Sequence, residues 1–362
     1  MSRQNNFDII RLLAALQVAF FHAKGHLKVA ESPVEGFIDF FKNFPGVPIF
    51  FTVSGFLIYQ SYARNSQNLR QYVVNRALRI YPGLWVCLAA TVLLLFVFRI
   101  IDLSALVRLP FGLWLLAQLT FFQFFTPDLL RVWGVGTPNG ALWTVSVELQ
   151  FYALVPLVFW LLDRPFGAAR PNKWLVVAAL FGLSVLSYAF LNTQPPDSLL
   201  AKLGAIAVLP YLYCFLVGIV FAVWWPALRP FIEGKFWGWL VGYVAFCLVF
   251  SNGLGLYKAH YWPNAYGLVA NVLLGVVTLS GAYSATSVSQ KLLRGFDVSY
   301  GVYIYQMLII NTYVATGRVG SYQFLFEVIA LSAVCGALSW HFVERKALGA
   351  KQLFMGKQRR SS

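Results

Sequence analysis

Long apolar runs separated by short polar connections dominate the chain. The runs cover residues 7–27, 44–61, 80–100, 112–126, 141–162, 174–191, 203–225, 236–252, 266–284, 299–317 and 322–342. At about 1.5 Å of rise per residue, a run of roughly 20 apolar residues matches the bilayer's hydrocarbon thickness. The pattern therefore predicts an all-α, polytopic transmembrane helix bundle. The run 112–126 is the shortest and is bracketed by Pro110 and Pro127, so it reads as an interfacial or re-entrant segment on the outer face. About ten spans remain.

The connections orient these spans. Residues 62–79 hold Arg64, Arg70, Arg76 and Arg79 without an acid, residues 163–173 add Arg164, Arg170 and Lys173, and residues 285–298 add Lys291 and Arg294. The tail holds Arg345, Lys346, Lys351, Lys357, Arg359 and Arg360. Positive loops stay in the cytoplasm, which predicts ten crossings with both termini inside. Lys24 and Lys28 then fall outside, offset by Glu31, Glu35 and Asp39. No repeat of about 20–50 residues is visible. The expected organisation is one membrane domain over 1–346 and a basic cytoplasmic tail over 347–362, without a soluble appendage.

Composition narrows the class. With 59% hydrophobic and 11% charged residues and a mean hydropathy of +0.67, the chain is excluded from the soluble proteins. A net charge of +15 suggests nucleic acid only until its placement is considered, because the basic residues sit in loops between spans. Cys87, Cys214, Cys247 and Cys335 are scattered through apolar stretches without metal or redox spacing. Asp8, Arg11 and His22 interrupt the first apolar run, which argues against a cleaved signal.

Those same residues mark the first candidate site. On a helix at about 100° per residue, Arg11 and His22 fall within roughly 20° of each other and about 16 Å apart along the axis. Asp8 and His26 flank the same stripe. An ionisable group inside a bilayer costs at least about 2.5 kcal/mol, so this stripe should face a wet cavity or a partner; helix glue is the alternative.

Four further stretches carry polar groups. Arg76 and Arg79, three apart at a cytoplasmic helix entry, suit phosphates, although topology alone also asks for arginines there. Glu148 falls in the outer half of the membrane, at a depth like that of His22, so the two can form a proton-transfer pair or a structural contact. Thr52, Ser54 and Gly55 make a small, partly polar patch that either lets helices approach or passes a ligand arm. Tyr300, Tyr303 and Asn311 share one helix face, which lines a cavity or simply packs. Trp143 and Tyr152 fit packing or an interfacial belt.

Taken together and in order, these stretches resemble acyltransferase family 3, membrane O-acyltransferases of surface polysaccharides and other extracytoplasmic hydroxyls. The resemblance is carried by Asp8, Arg11 and His22 in the first helix, FFTVSGFL at 50–57, Arg76, Arg79, Tyr81 and Pro82, WTVSVELQFY with Glu148, SYGVYIY at 299–305 and FVER at 342–345. Gln306 stands where many members carry His, and Lys346 where Pro is common.

The resemblance implies a bacterial inner-membrane enzyme that transfers an acyl group, usually acetyl, from cytoplasmic acyl-CoA to a hydroxyl of an extracytoplasmic or lipid-linked saccharide. His22 is then the expected general base, with Glu148 orienting it or gripping the sugar. Arg11, Arg76 and Arg79 would hold the coenzyme A moiety of acetyl-CoA, and Ser54, Trp143 and Tyr300 would contact substrate. No metal is required, because a thioester is already activated. A transporter or flippase of lipid-linked glycans is the competing reading; it predicts inverted repeats.

Overall fold

A computed structural model describes residues 5–66, 68–163, 172–256 and 265–351. Among these the chain is helical throughout, with no strand. In order, the helices are α1 (Phe7–His26), α2 (Glu35–Phe40), α3 (Gly46–Ala63), α4 (Leu69–Val97), α5 (Leu109–Leu119), α6 (Trp143–Asp163), α7 (Lys173–Asn192) and α8 (Leu199–Gly204). They continue as α9 (Leu212–Val223), α10 (Trp225–Ile232), α11 (Phe236–Cys247), α12 (Ala265–Ala282), α13 (Val288–Leu293), α14 (Ser299–Ala315), α15 (Tyr322–Ser339) and α16 (Arg345–Gly349).

Each apolar run of the sequence overlaps at least one of these helices. Local chemistry sets several starts: the side chains of Asn68, Asn172, Ser198 and Ser321 accept hydrogen bonds from the first free amides of α4, α7, α8 and α15. Segments 35–63, 69–97, 140–163, 173–192 and 322–349 are long and apolar enough to cross a membrane, and α9 with α10 forms a sixth that is bent by 103°. The protein is thus a polytopic helical membrane protein. The short run near 112–126 is helical only over Leu109–Leu119, whose rise of about 16 Å is half the hydrocarbon thickness.

One predicted run is divided. Residues 203–225 were read as a single helix, but α8 ends at Gly204, a tight turn of helix covers Leu209–Tyr211, and α9 stops at Val223. Pro210 and Pro226 each lack an amide proton and are seated in first turns, where none is needed. Arg164, Arg170, Lys357, Arg359 and Arg360, used above to orient the chain, lie outside the described residues.

The chain forms two compact units: residues 1–14, 33–66 and 147–295 in the first, and 15–32, 67–146 and 296–362 in the second. The first unit is built on α3 against α9. A Cβ added to Gly55 would stand 2.1 Å from the Phe215 carbonyl oxygen, and one on Gly218 would stand 2.1 Å from that of Thr52. The small patch at 52–55 therefore works as a close helix crossing, where backbone meets backbone. Gly218→Ala should separate the two helices and destabilise the protein by about 1–3 kcal/mol. A thermal midpoint in detergent equal to that of the wild type would contradict this crossing. Phe7, Phe56, Trp225 and Tyr283 close the apolar cluster beside it. The Asn6 side chain fastens the start of α1 by donating to the Ser284 carbonyl at 2.7 Å and accepting from the Ser289 amide at 3.0 Å.

In the second unit α14 crosses α15 at another glycine pair, with a Cβ on Gly301 falling 2.6 Å from the Gly336 Cα. Two asparagines hold the turn before α6. Asn311 donates to the carbonyls of Thr137 and Pro138, both at 2.9 Å, and accepts from the Val135 amide at 2.8 Å. Asn139 donates to the Ile304 carbonyl at 2.7 Å.

Candidate active site

The second half of α1 brings His22 into the second unit. Its side chain is half-buried, and its Nδ1 is buried without a close hydrogen-bond partner. His26, one turn on, is exposed, with its ring centroid 6.0 Å from that of His22. The Gln306 side chain is fully buried on α14, where its Nε2 donates to the Tyr303 carbonyl at 3.2 Å.

Arg79 in α4 is held from two sides. It pairs with Asp297, just before α14, and its Nη1 lies 4.0 Å from Glu344 Oε2. The acids are fixed in turn: Ser299 donates to Asp297 at 2.6 Å and Ser339 to Glu344 at 2.9 Å. Glu344 is only 1% exposed and ends a wide π-helical turn, Trp340–Glu344, whose Trp340 ring lies 5.9 Å from the Arg79 guanidinium carbon. Such turns accommodate an extra residue in a helix and recur at functional sites. The two forks of the predicted Arg pair therefore differ. Arg79 is bound into a carboxylate network, whereas Arg76 lies half-buried three residues before it.

In the first unit, Glu148 accepts two hydrogen bonds on the same oxygen, from the Ser54 and Tyr152 hydroxyls, each at 2.6 Å. Two residues selected from the sequence, Ser54 and Glu148, are thus in direct contact. Tyr152 joins them one helical turn along α6; the i,i+4 spacing was the signal for it. With both donors on Oε1, the carboxylate is fixed in orientation and offers Oε2 as an acceptor. Arg11, half-buried in the first half of α1, also belongs to this unit and is engaged by other groups.

Trp143 opens α6 in the second unit and is half-buried. Tyr300 is buried, and its hydroxyl donates to the Ile80 carbonyl at 3.0 Å. Tyr303 is engaged by Thr144 at 2.7 Å and by the Ala141 carbonyl at 3.1 Å. The tyrosine face of α14 thus follows the packing alternative. A small polar cavity in this unit, between α4, α5 and the turn before α6, is lined by Cys87, Thr91, Gln118, Gln123 and Asn139 and contains none of the predicted site residues.

A half-buried imidazole, a fixed carboxylate and clustered arginines inside a helical membrane protein are the parts that acyl transfer between a thioester and a hydroxyl calls for. Residues 4–343 match a family model described as an acyltransferase domain, and the chain belongs to that family. The protein is a membrane O-acyltransferase. Over 354 residues, 95% of this chain and 93% of the relative, it is 30% identical to Nodulation protein 10 of Rhizobium leguminosarum bv. viciae. It is 26% identical to an O-acetyl transferase of Shigella phage Sf6, covering 96% of this chain and 97% of the relative. It is also 24% identical to the O-acetyltransferase OatA of Staphylococcus aureus, covering 83% of this chain but 52% of that longer protein. No solved structure matches.

Proposed function

We propose that this enzyme moves an acetyl group from acetyl-CoA on the cytoplasmic side to a hydroxyl of an extracytoplasmic or lipid-linked saccharide. It would do so in a bacterial inner membrane, with both chain termini in the cytoplasm. The observation that carries the reading is His22: an imidazole on an apolar helix, half-buried, in a chain of an acyltransferase family. The names of two relatives support acetyl as the group, and the basic loops support the orientation. Family membership favours the enzyme over the transporter reading.

In the proposed step His22 takes the proton of the acceptor hydroxyl as its oxygen attacks the thioester carbonyl. The new C–O bond forms, the C–S bond breaks, and the leaving thiolate takes the proton back from the imidazolium. Arg76 meets the phosphates of the coenzyme. Arg79, steadied by Asp297 and Glu344, presents its remaining N–H groups on the same face of α4. Glu148, held by Ser54 and Tyr152, turns Oε2 toward a sugar hydroxyl. Trp143 contacts substrate, while Tyr300, with its hydroxyl committed to the Ile80 carbonyl, supports α14 against α4.

A comparison of surface glycans from cells with and without the chain tests the function. The expected result is O-acetyl ester that is lost on deletion and restored by the wild-type gene. Identical ester content in both would contradict the proposal.

A further inference from the structure

We infer that α10 and the turns after α10 and α12 form one docking surface for anionic phospholipid headgroups of the cytoplasmic leaflet, which rests on the orientation proposed above. α10 is bent by 103° from α9, so it turns nearly at a right angle to the helix it follows. Packing settles its inner face: Trp225 and Ile232 are buried, with Leu228 beside them, in the cluster that holds Phe7, Phe56 and Tyr283. At about 100° per residue, Arg229 and Phe231 fall on opposite flanks of the helix, roughly 160° apart. Phe231 is 63% exposed, and the exposed Arg229 is bound by Glu233 at 2.8 Å. An apolar flank and a charged flank on either side of an anchored face are the build of a helix that lies in the membrane interface.

The turn after α12 is locked to this helix. The Ser280 hydroxyl donates to the Ile232 carbonyl at 2.6 Å, the Gly234 amide to the Tyr283 carbonyl at 3.4 Å, and the Phe236 amide to the Ser284 hydroxyl at 3.3 Å. Together, residues 229–236 and 283–295 carry Arg229, Lys235, Lys291 and Arg294 against the single carboxylate of Glu233. Lys235, Lys291 and Arg294 are exposed. Large apolar side chains stand among them: Trp237 is 73% exposed in the first turn of α11, and Leu292 67% on α13. Phe231 and Leu292 belong to connections and not to spans, so the hydrocarbon core does not cover them, yet apolar groups of this size gathered in one place call for a cover. Excess positive charge interleaved with exposed apolar groups matches the boundary between headgroups and acyl chains of an anionic bilayer. Coenzyme phosphates would satisfy the cations but leave Phe231, Trp237 and Leu292 bare.

The test titrates the full chain in detergent with phosphatidylglycerol, or with phosphatidylcholine of the same acyl chains, and reads each affinity by native mass spectrometry. The wild type should prefer phosphatidylglycerol. Combining Lys235→Gln, Lys291→Gln and Arg294→Gln should lower that affinity by about 10–100-fold, at up to about fivefold for each cation, and leave phosphatidylcholine unaffected. Exchanging like charges, Lys235→Arg with Lys291→Arg and Arg294→Lys, should keep the preference, which separates charge from a folding defect. In nanodiscs, a nitroxide on Phe231→Cys, measured against the wild type labelled in parallel, should be relaxed more by oxygen than by a water-soluble nickel chelate. Equal affinity for the two lipids in the wild type, a preference that survives the glutamine variant, or a nitroxide standing in water overturns the docking surface. So does a glutamine variant changed only in its KM for acetyl-CoA, which would assign the cations to the donor. Labelling of Lys235→Cys by a membrane-impermeant maleimide in intact spheroplasts overturns the orientation, and with it the leaflet; a lipid preference that persists there marks this as a different failure.

Discussion

His22→Ala is expected to lower acyl transfer by about 10²–10⁴-fold, the usual contribution of a positioned general base, while the protein stays inserted and folded. The stability half of this expectation comes from the surroundings of the ring. His22 is only half-buried, and its Nδ1 has no close hydrogen-bond partner that truncation would strand. Truncation therefore removes a reactive group and little packing. Initial rates of thiol release from acetyl-CoA, read beside the thermal midpoint, separate the two effects. A variant that keeps its rate removes His22 from the chemistry.

Arg79→Ala should behave quite differently from Arg76→Ala, although the two residues form one motif. Removing Arg79 leaves Asp297 and Glu344 facing one another, with Glu344 only 1% exposed. Taking one partner from a buried charge network costs about 3–5 kcal/mol, because the remaining charges are uncompensated. That is a large part of a typical folding free energy, so Arg79→Ala should accumulate poorly and melt early. Adding Glu344→Gln to it should recover part of the loss, as coupled neighbours do. Arg76→Ala should raise the KM for acetyl-CoA. An Arg79→Ala protein of normal stability, changed only in donor KM, would return Arg79 to simple phosphate binding.

This difference between neighbouring arginines shows where the sequence stops being readable. Hydrophobic runs exposed the long helices and the class of protein, because a bilayer imposes them directly on the chain, whereas the short α2, α13 and α16 lie outside every run. The short helix at Leu109–Leu119 overlaps the run 112–126, but it carries Pro110 in its first turn and ends well before Pro127. The bend after α9 was not legible, since residues 203–225 are apolar on both sides of Trp224 and only the packed structure breaks them. Contacts within a turn were accessible too: Glu148 and Tyr152 are four apart, and their bond follows from helix geometry. Arg79, Asp297 and Glu344 are separated by 218 residues or more from the first to the others, and no local rule pairs them. Their only advance signal was that all three fall in or beside stretches resembling family motifs.

The small patch at Thr52–Gly55 illustrates how one sequence feature served two ends. Gly55 supplies the close approach to α9, as packing alone would ask, while Ser54 on the next position turns its hydroxyl to Glu148. Gln306 shows the reverse. As a departure from the family's common residue it offered no catalytic histidine to carry over, yet it is fully buried on α14 with its amide orientation fixed by the Tyr303 carbonyl.

The most direct measurement is made on the purified chain in sealed proteoliposomes, with [14C]acetyl-CoA supplied on the face bearing Arg76 and Arg79 and a saccharide acceptor on the other. Label should appear as a base-labile ester on the acceptor, one equivalent for each coenzyme A thiol released, and should vanish in His22→Ala. Thiol release without labelled acceptor, or labelling that persists without His22, would contradict transfer from the thioester to a hydroxyl by this imidazole.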